Sequence, residues 1–362
     1  MGFDDKTYEL KEILSNFNID TDIELYGNGH INDTYLCETA PRFILQRINT
    51  NVFKDPDAVM ENIYNVTAHV REKIKEAGGN PDRETLTVIP TKNNEIYYRH
   101  ADDACFRMYK FIEDSVSYDI AERPEILCYA GNAFGRFQKM LSDFPADKLH
   151  ETIIDFHNTP IRVKQLEDAV SGNAAGRADS VKAEIDFAME YSKYASVVTE
   201  PMAKGDVPLR VTHNDTKLNN VLFDAETDAG VCVIDLDTVM PGSLLYDFGD
   251  ALRFGASSCA EDETDTDKIW FDLEKFEQFA KGFLIEVKDC LTEKEIELLP
   301  VSALLLTYEC GIRFLADYLN GDTYFKIHKE HHNLDRARNQ FALVKDIESK
   351  LGEMAEIVKK YV

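Results

Sequence analysis

Asp215, Asn220 and Asp235 are the residues whose types and order could do chemistry together. The first two stand in Val211-Thr212-His213-Asn214-Asp215-Thr216-Lys217-Leu218-Asn219-Asn220-Val221-Leu222, and the third follows the apolar run Val231-Cys232-Val233-Ile234. A carboxylate at Asp215 can accept a hydrogen bond from a hydroxyl and aim that hydroxyl at an electrophile. Asn220 lies five residues on, far enough for the loop to curl back and offer its amide to a cation. Asp235, twenty residues after Asp215 at the end of a strand, supplies a second hard oxygen ligand. Together they suit phosphoryl transfer, whose loose transition state asks for positioning and charge neutralisation more than for early proton removal. Any one of these residues alone is an ordinary turn or strand-end residue; their combined order carries the reading. His213 is expected to brace the loop through hydrogen bonds and to move no proton itself.

Such a loop needs a frame, and the chain supplies one in two parts. A helix over about 5–17 precedes strands expected at 23–26, 34–38 and 43–48, with the turn Gly27-Asn28-Gly29-His30-Ile31-Asn32 between the first two. Asp55 reads as an N-cap, Pro56 as the first helical residue and Gly78-Gly79 as the stop of a helix striped by Val59, Ile63, Val66, Val70 and Ile74. Further strands are expected at 86–90, 95–98 and 105–110. After a hinge at about 109–114 the pattern turns mainly helical, broken by strands near 221–223 and 231–235. The expected fold class is α+β: residues 1–113 form a small antiparallel-sheet lobe and 114–362 a mainly helical one.

Composition excludes several classes of function. The formal charge of −26 on 362 residues argues against nucleic acid and against an anionic membrane surface. Seven scattered cysteines without a Cys-x-x-Cys pair fit free thiols in a reducing compartment. Residues 1–5 lack the marks of a signal peptide, Lys6 stands where a myristoylation signal needs Ser or Thr, and the apolar stretch 299–319 contains Glu309, Arg313 and Asp317. A cytoplasmic protein handling small molecules is expected, as a monomer or weak dimer. The acidic run at Glu261-Asp262-Glu263 has no calcium-loop spacing and reads as a solvated loop.

Other residues fit around the same chemistry. Lys217, two after Asp215, suits an anion beside it. The backbone of Gly27 and Gly29, with His30, could cover phosphates, although a plain hairpin turn reads equally well. Phe111 and Ile112 lie in the hinge, where backbone groups could take adenine. The strand Phe43–Ile48 has no lysine and offers Gln46 or Arg47 instead; alternation lets only one of them face inward. Without that lysine, an ion pair to Glu61 is also in doubt. Asp247-Phe248-Gly249 spells the metal-binding triplet of protein kinases, but no strand runs into it. Asp247 is therefore expected to cap a helix or brace the loop, and Asp235 to bind metal.

On these residues the chain resembles the aminoglycoside phosphotransferase and choline kinase superfamily, of protein-kinase-like fold. It is more similar to the N-acetylhexosamine 1-kinases of amino-sugar salvage. The motifs include Tyr26 to Asn32, Ile44-Leu45-Gln46, Tyr109 to Glu113, Phe156-His157-Asn158-Thr159-Pro160, Val211 to Asn220, Ile234 to Thr238, Met240 to Ser243, Asp247 to Asp250 and Glu309 to Tyr318. The resemblance implies ATP and Mg2+ as cofactors, transfer to the anomeric hydroxyl of N-acetylglucosamine or N-acetylgalactosamine, and no sheet lysine. For the sugar, Asp215 would orient the hydroxyl, while Arg313, Tyr324, Phe254 and His30 are candidate contacts. Glu309, Arg313 and Asp317 recur every four residues, so an intrahelical salt-bridge row competes with an inward-pointing Arg313. A kinase of another small alcohol and a catalytically silent nucleotide-binding module are the alternatives. A dinuclear hydrolase built on His213, Asp215, Asp235 and Asp237 ranks low for want of further histidines at strand ends.

Overall fold

The computed structural model describes residues 8–27 and 31–362. Its N-terminal part is an antiparallel sheet of β1 (Ile23–Leu25), β2 (Asp33–Cys37), β3 (Phe43–Ile48), β4 (Val88–Ile89), β5 (Tyr98–Arg99) and β6 (Cys105–Lys110). The order is β1-β2-β3-β6-β4, with β5 also on β6. Alternation separates the faces. Leu45, Phe106 and Met108 pack outward against Ile13, Leu14 and Phe17, in or just after α1 (Leu10–Ser15). Ile48, Cys105 and Tyr109 face inward and join the main core.

That core runs through α2 (Pro56–Glu76), whose Asp55 side chain accepts from Ala58 N–H at 3.0 Å and whose whole expected stripe is buried. The short α3 (Pro81–Glu84) leads to β4. Residues 111–114 then link β6 to β7 (Ser115–Val116), which pairs with β9 (Val221–Asp224); β9 forms a hairpin with β10 (Gly230–Val233). A two-stranded pair, β8 (Arg210–Thr212) and β11 (Met240–Gly242), lies beside them. The rest is helical: α4 (Pro124–Met140), α5 (Thr159–Gly172), α6 (Lys182–Tyr191), α7 (Thr199–Lys204), α8 (Leu244–Gly255), α9 (Leu273–Val287), α10 (Glu293–Leu319) and α11 (His332–Lys359).

The expected strands 43–48 and 105–110 are found with those bounds, while 86–90 shrinks to β4 and the strand expected at 95–98 forms instead at 98–99 as β5. By length and composition α10 could cross a membrane, but 89% of its apolar window is buried inside the protein. Its N-terminus carries a Thr292/Glu295 capping box, and Glu295 also holds Arg210 of β8 at 2.6 Å. This core helix therefore anchors the strand that starts the Asp215 loop. All seven cysteines are free.

The helices α4 and α9 meet backbone to backbone. A Cβ on Gly131 would stand 2.4 Å from Phe279 O, and one on Gly282 only 2.0 Å from Cys128 O. Gly282→Ala is expected to force these helices apart and destabilise the fold by about 1–3 kcal/mol, seen as a lower urea-unfolding midpoint; an unchanged midpoint would contradict this close approach.

Candidate active site

The loop after β8 is held from below by helix α8. Ser243 caps that helix, leaving Asp247 free within its first turn. Asp247 Oδ2 accepts from the His213 N–H at 2.9 Å and from Gln138 Nε2 at 2.6 Å, and its Oδ1 accepts from the Asn214 N–H at 2.8 Å. One turn on, Asp250 Oδ2 accepts from the Thr216 N–H at 3.0 Å. Burial pushes the Asp247 carboxyl up, against the pull of His213 and these donors. Of the two roles expected for Asp247, the structure realises the brace.

His213 is fully buried between Phe134 and Phe137. Its Nδ1 accepts from the Asp215 N–H at 3.3 Å, so Nε2–H donates to Ile234 O at 2.8 Å. The Ile234 N–H in turn donates to Asn220 O at 2.9 Å. The backbone of one residue, Ile234, thus registers the Asp215 loop, Asn220 and Asp235 against one another.

Asp215 shares its two oxygens. Oδ1 pairs with Lys217 Nζ at 2.8 Å, and Oδ2 accepts from Asn220 Nδ2 at 3.2 Å. Burial alone would raise its pKa, but Lys217, helped by His213 and Arg253, offsets this, and the carboxyl stays below its usual range. Lys217 is itself held charged by Asp215 against its own desolvation, and its ammonium lies 5.7 Å from the Phe254 ring. Among the described residues Asp235 has no hydrogen-bond or ion-pair partner. It sits two residues past the end of β10 in the left-handed region (φ +59°), not on the strand itself. The surrounding protein, then the nearby Asp237 and Asp215 charges, push its carboxyl up to about 7, although the side chain still reaches solvent.

Gln46 takes the inner face of β3 and uses both ends of its amide: Oε1 accepts from Arg107 Nε and Nε2 donates to Thr34 Oγ1, each at 3.0 Å. Arg47 lies on the outer face, 3.6 Å from Asp33 and over the Tyr8 ring, away from the expected phosphates; alternation decides this. Glu61 pairs with His150 at 2.9 Å and takes no part in the sheet. In the hinge, Phe111 N–H donates to Arg42 O at 3.0 Å and Ile112 is buried. Gly27 adopts φ +75° in open space, whereas Gly29 and His30 lie outside the described residues.

The helix residues 309, 313 and 317 form no salt-bridge row. Glu309, fully buried, accepts from His157 at 2.8 Å and Thr159 at 2.6 Å. Asp317 accepts from the backbone N–H groups of Thr323, Tyr324 and Phe325 at 2.8–2.9 Å. Arg313 lies among Phe156, Tyr324 and Phe325, its guanidinium carbon 5.4–5.9 Å from their centroids. Arg313 and Tyr324 are therefore together, while Phe254 lies beside Lys217 and Arg253. His157 joins the two regions, its Nε2 3.4 Å from Asn214 O. Sequence reasoning missed Arg107 and its ion pair with Asp237, and the one available signal was a lone charge inside the apolar strand Cys105–Tyr109.

This is a protein-kinase-like fold, with a sheet and a helical part around a loop that carries an aspartate and an asparagine. The chain belongs to the phosphotransferase enzyme family that includes aminoglycoside phosphotransferases, which residues 22–274 match. Among solved structures it is similar to a microcompartment-associated aminopropanol kinase (17% identity, 96% of this chain and 98% of that chain, TM-score 0.64). It is also similar to an aminoglycoside phosphotransferase from Alicyclobacillus acidocaldarius (12%, 99% and 98%, TM-score 0.61). A third is an amicoumacin kinase in complex with AMP-PNP, Ca2+ and Ami (11%, 95% and 94%, TM-score 0.59).

A free aspartate titrates near about 3.9, so between about pH 4 and 7 the folded chain holds an Asp235 proton that the unfolded chain has lost. Stability therefore falls as pH rises through that window. In metal-free buffer, Asp235→Asn is expected to gain more in Tm over wild type at pH 8 than at pH 5. An equal gain at both would remove the crowding described for this carboxylate.

Proposed function

We propose that this chain is a cytoplasmic kinase that transfers the γ-phosphoryl group of ATP to the anomeric hydroxyl of an N-acetylhexosamine. The observation that carries the phosphotransfer is the Asp215 carboxylate fixed by Lys217 and Asn220, with the unpartnered Asp235 registered to the same loop. Asp215 accepts the hydrogen bond of the acceptor hydroxyl, aims it at the phosphorus and takes its proton late, as suits a hydroxyl more acidic than others on a sugar. Lys217 faces the anion and stabilises its charge as that charge redistributes. His213 holds the loop and stays out of proton transfer, since both its ring nitrogens are engaged.

The donor set suits a divalent cation: Asp235 lacks a counter-charge, and Asn220 Nδ2 bonds Asp215, which leaves the amide oxygen for the metal. Among the described residues no three His, Cys, Asp or Glu side chains could hold a metal by themselves. That matches Mg2+, which takes one or two protein oxygens and completes its shell with phosphates and water. Asn220 and Asp235 would hold it, and when bound it neutralises charge on the transferring phosphates. The sugar assignment rests on the sequence resemblance. Arg313 among aromatic rings supports it, as a donor for hydroxyl or acetamide oxygens beside apolar walls. Kinases of other small alcohols are the second reading, favoured by the fold shared with an aminopropanol kinase.

Coupled ADP release with ATP and Mg2+ tests this on N-acetylglucosamine, N-acetylgalactosamine, glucose, galactose, choline and homoserine. Turnover is expected on the two N-acetylhexosamines, falling by about 10²–10⁴-fold in Asp215→Asn. Turnover on another acceptor alone would sink the sugar and keep the kinase. ATP binding without turnover on any acceptor would leave a silent nucleotide-binding module.

A further inference from the structure

The inner face of β3 presents Ile44, Gln46 and Ile48, and the cation beside it comes from the neighbouring strand. Arg107 is the cross-strand partner of Gln46 and is almost completely buried. Its Nε donates to Gln46 Oε1, while its Nη1 forms an ion pair with Asp237 Oδ1. The other oxygen of Asp237 accepts from Asn32 Nδ2 at 2.6 Å, and Asn32 Oδ1 accepts from the Asn49 N–H at 3.0 Å. Both oxygens of Asp237 are therefore held by the sheet and its flanking turns. Asp237 lies two residues after Asp235, in the short turn Leu236–Thr238 that Asp235 opens in a left-handed conformation. The far end of that turn is tied to the Asp215 loop, since Thr238 Oγ1 donates to His213 O at 2.7 Å.

We propose that Arg107 is a positioning residue: by pinning Asp237 to the sheet it fixes the turn that presents Asp235, and metal-dependent nucleotide binding depends on it. The inference rests on the phosphotransferase reading, in which Asp235 is a cation ligand. A sheet lysine would be a mobile charge able to reach the nucleotide. Arg107 is sealed from solvent and spends its guanidinium on a carboxylate, while Gln46 orients that guanidinium with an amide engaged at both ends. Groups that orient a metal ligand typically change metal affinity by about 10–100-fold when removed.

The test is ADP binding by titration calorimetry, with Mg2+ and in EDTA, with Tm recorded for every variant. Arg107→Met strands a buried carboxylate and endangers folding, whereas Arg107→Met with Asp237→Leu removes both charges and replaces them with apolar volume. The paired variant is expected to melt near wild type, to bind ADP in EDTA as wild type does, and to need about 10–100-fold more Mg2+ for half-saturation. Arg107→Lys, which keeps the charge but loses the fork shared between Gln46 and Asp237, is expected to fall between the two. An unchanged Mg2+ requirement in any folded variant that lacks the Arg107 charge overturns the proposal. An equal loss of ADP affinity with and without Mg2+ overturns it too, because Arg107 would then serve the nucleotide pocket as a whole. Wild-type ADP binding that ignores Mg2+ would instead remove Asp235 as a cation ligand, and this inference with it.

Discussion

Like charges crowd at the centre of this protein, and much of the architecture follows from how they are kept apart. Asp215, Asp235, Asp237, Asp247 and Asp250 converge there in a chain of net charge −26. Each of four has its own neutralising partner. Asp215 has Lys217, Asp237 has Arg107 and Asp250 has Arg253. Asp247 has backbone N–H groups and Gln138 in place of a cation. Asp235 alone has no partner of its own, and the surrounding protein first, then the Asp237 and Asp215 charges, push its carboxyl up. Evenly compensated carboxylates would bind nothing; leaving one uncompensated builds a place where a cation is wanted.

Keeping the five in register falls to uncharged groups. The Ile234 backbone takes a hydrogen bond from His213 on its carbonyl and gives one to Asn220 from its nitrogen. A shift of the loop by one residue would break both contacts and lift His213 from between Phe134 and Phe137. Below it, α8 places Asp247 and Asp250 one turn apart, the spacing that lets two carboxylates collect successive loop N–H groups. The Glu295–Arg210 pair ties β8, the strand that opens the reactive loop, to the core helix α10.

Local signals made several of these parts legible from the sequence. The α2 cap and stripe, strands β3 and β6, and the loop from His213 to Asn220 all follow from short-range patterns. Alternation also predicted that Gln46 and Arg47 would part, though not which would face inward, because that depends on where α1 packs. What escaped was long-range. Arg107 and Asp237 are 130 residues apart, and no local pattern announces a buried pair that the tertiary fold alone creates. The strand leading to Asp235 was read two residues too long, because a left-handed aspartate after an apolar run looks like its last residue. The helix positions 309, 313 and 317 show the limit of periodicity. Spacing placed them on one face, yet each turned to a different partner from another segment.

Those three divergent contacts bear on the acceptor. Glu309 reaches through His157 to the carbonyl of Asn214, the residue before Asp215, so the helix bearing Arg313 is mechanically continuous with the loop that orients the hydroxyl. Asp317 meanwhile fixes the backbone of Tyr324 and Phe325, which flank the same arginine. Arg162 lies near enough for Arg313 to help push its pKa down, after burial. The Glu309 and Asp155 carboxylates act on Arg162 in the opposite sense, so acids and guanidiniums share this region. Arg162 is held by the Phe156 carbonyl and Arg313 by aromatic faces, so both guanidiniums are donors whose orientation is fixed by the same segments that Glu309 and Asp317 tie to α10.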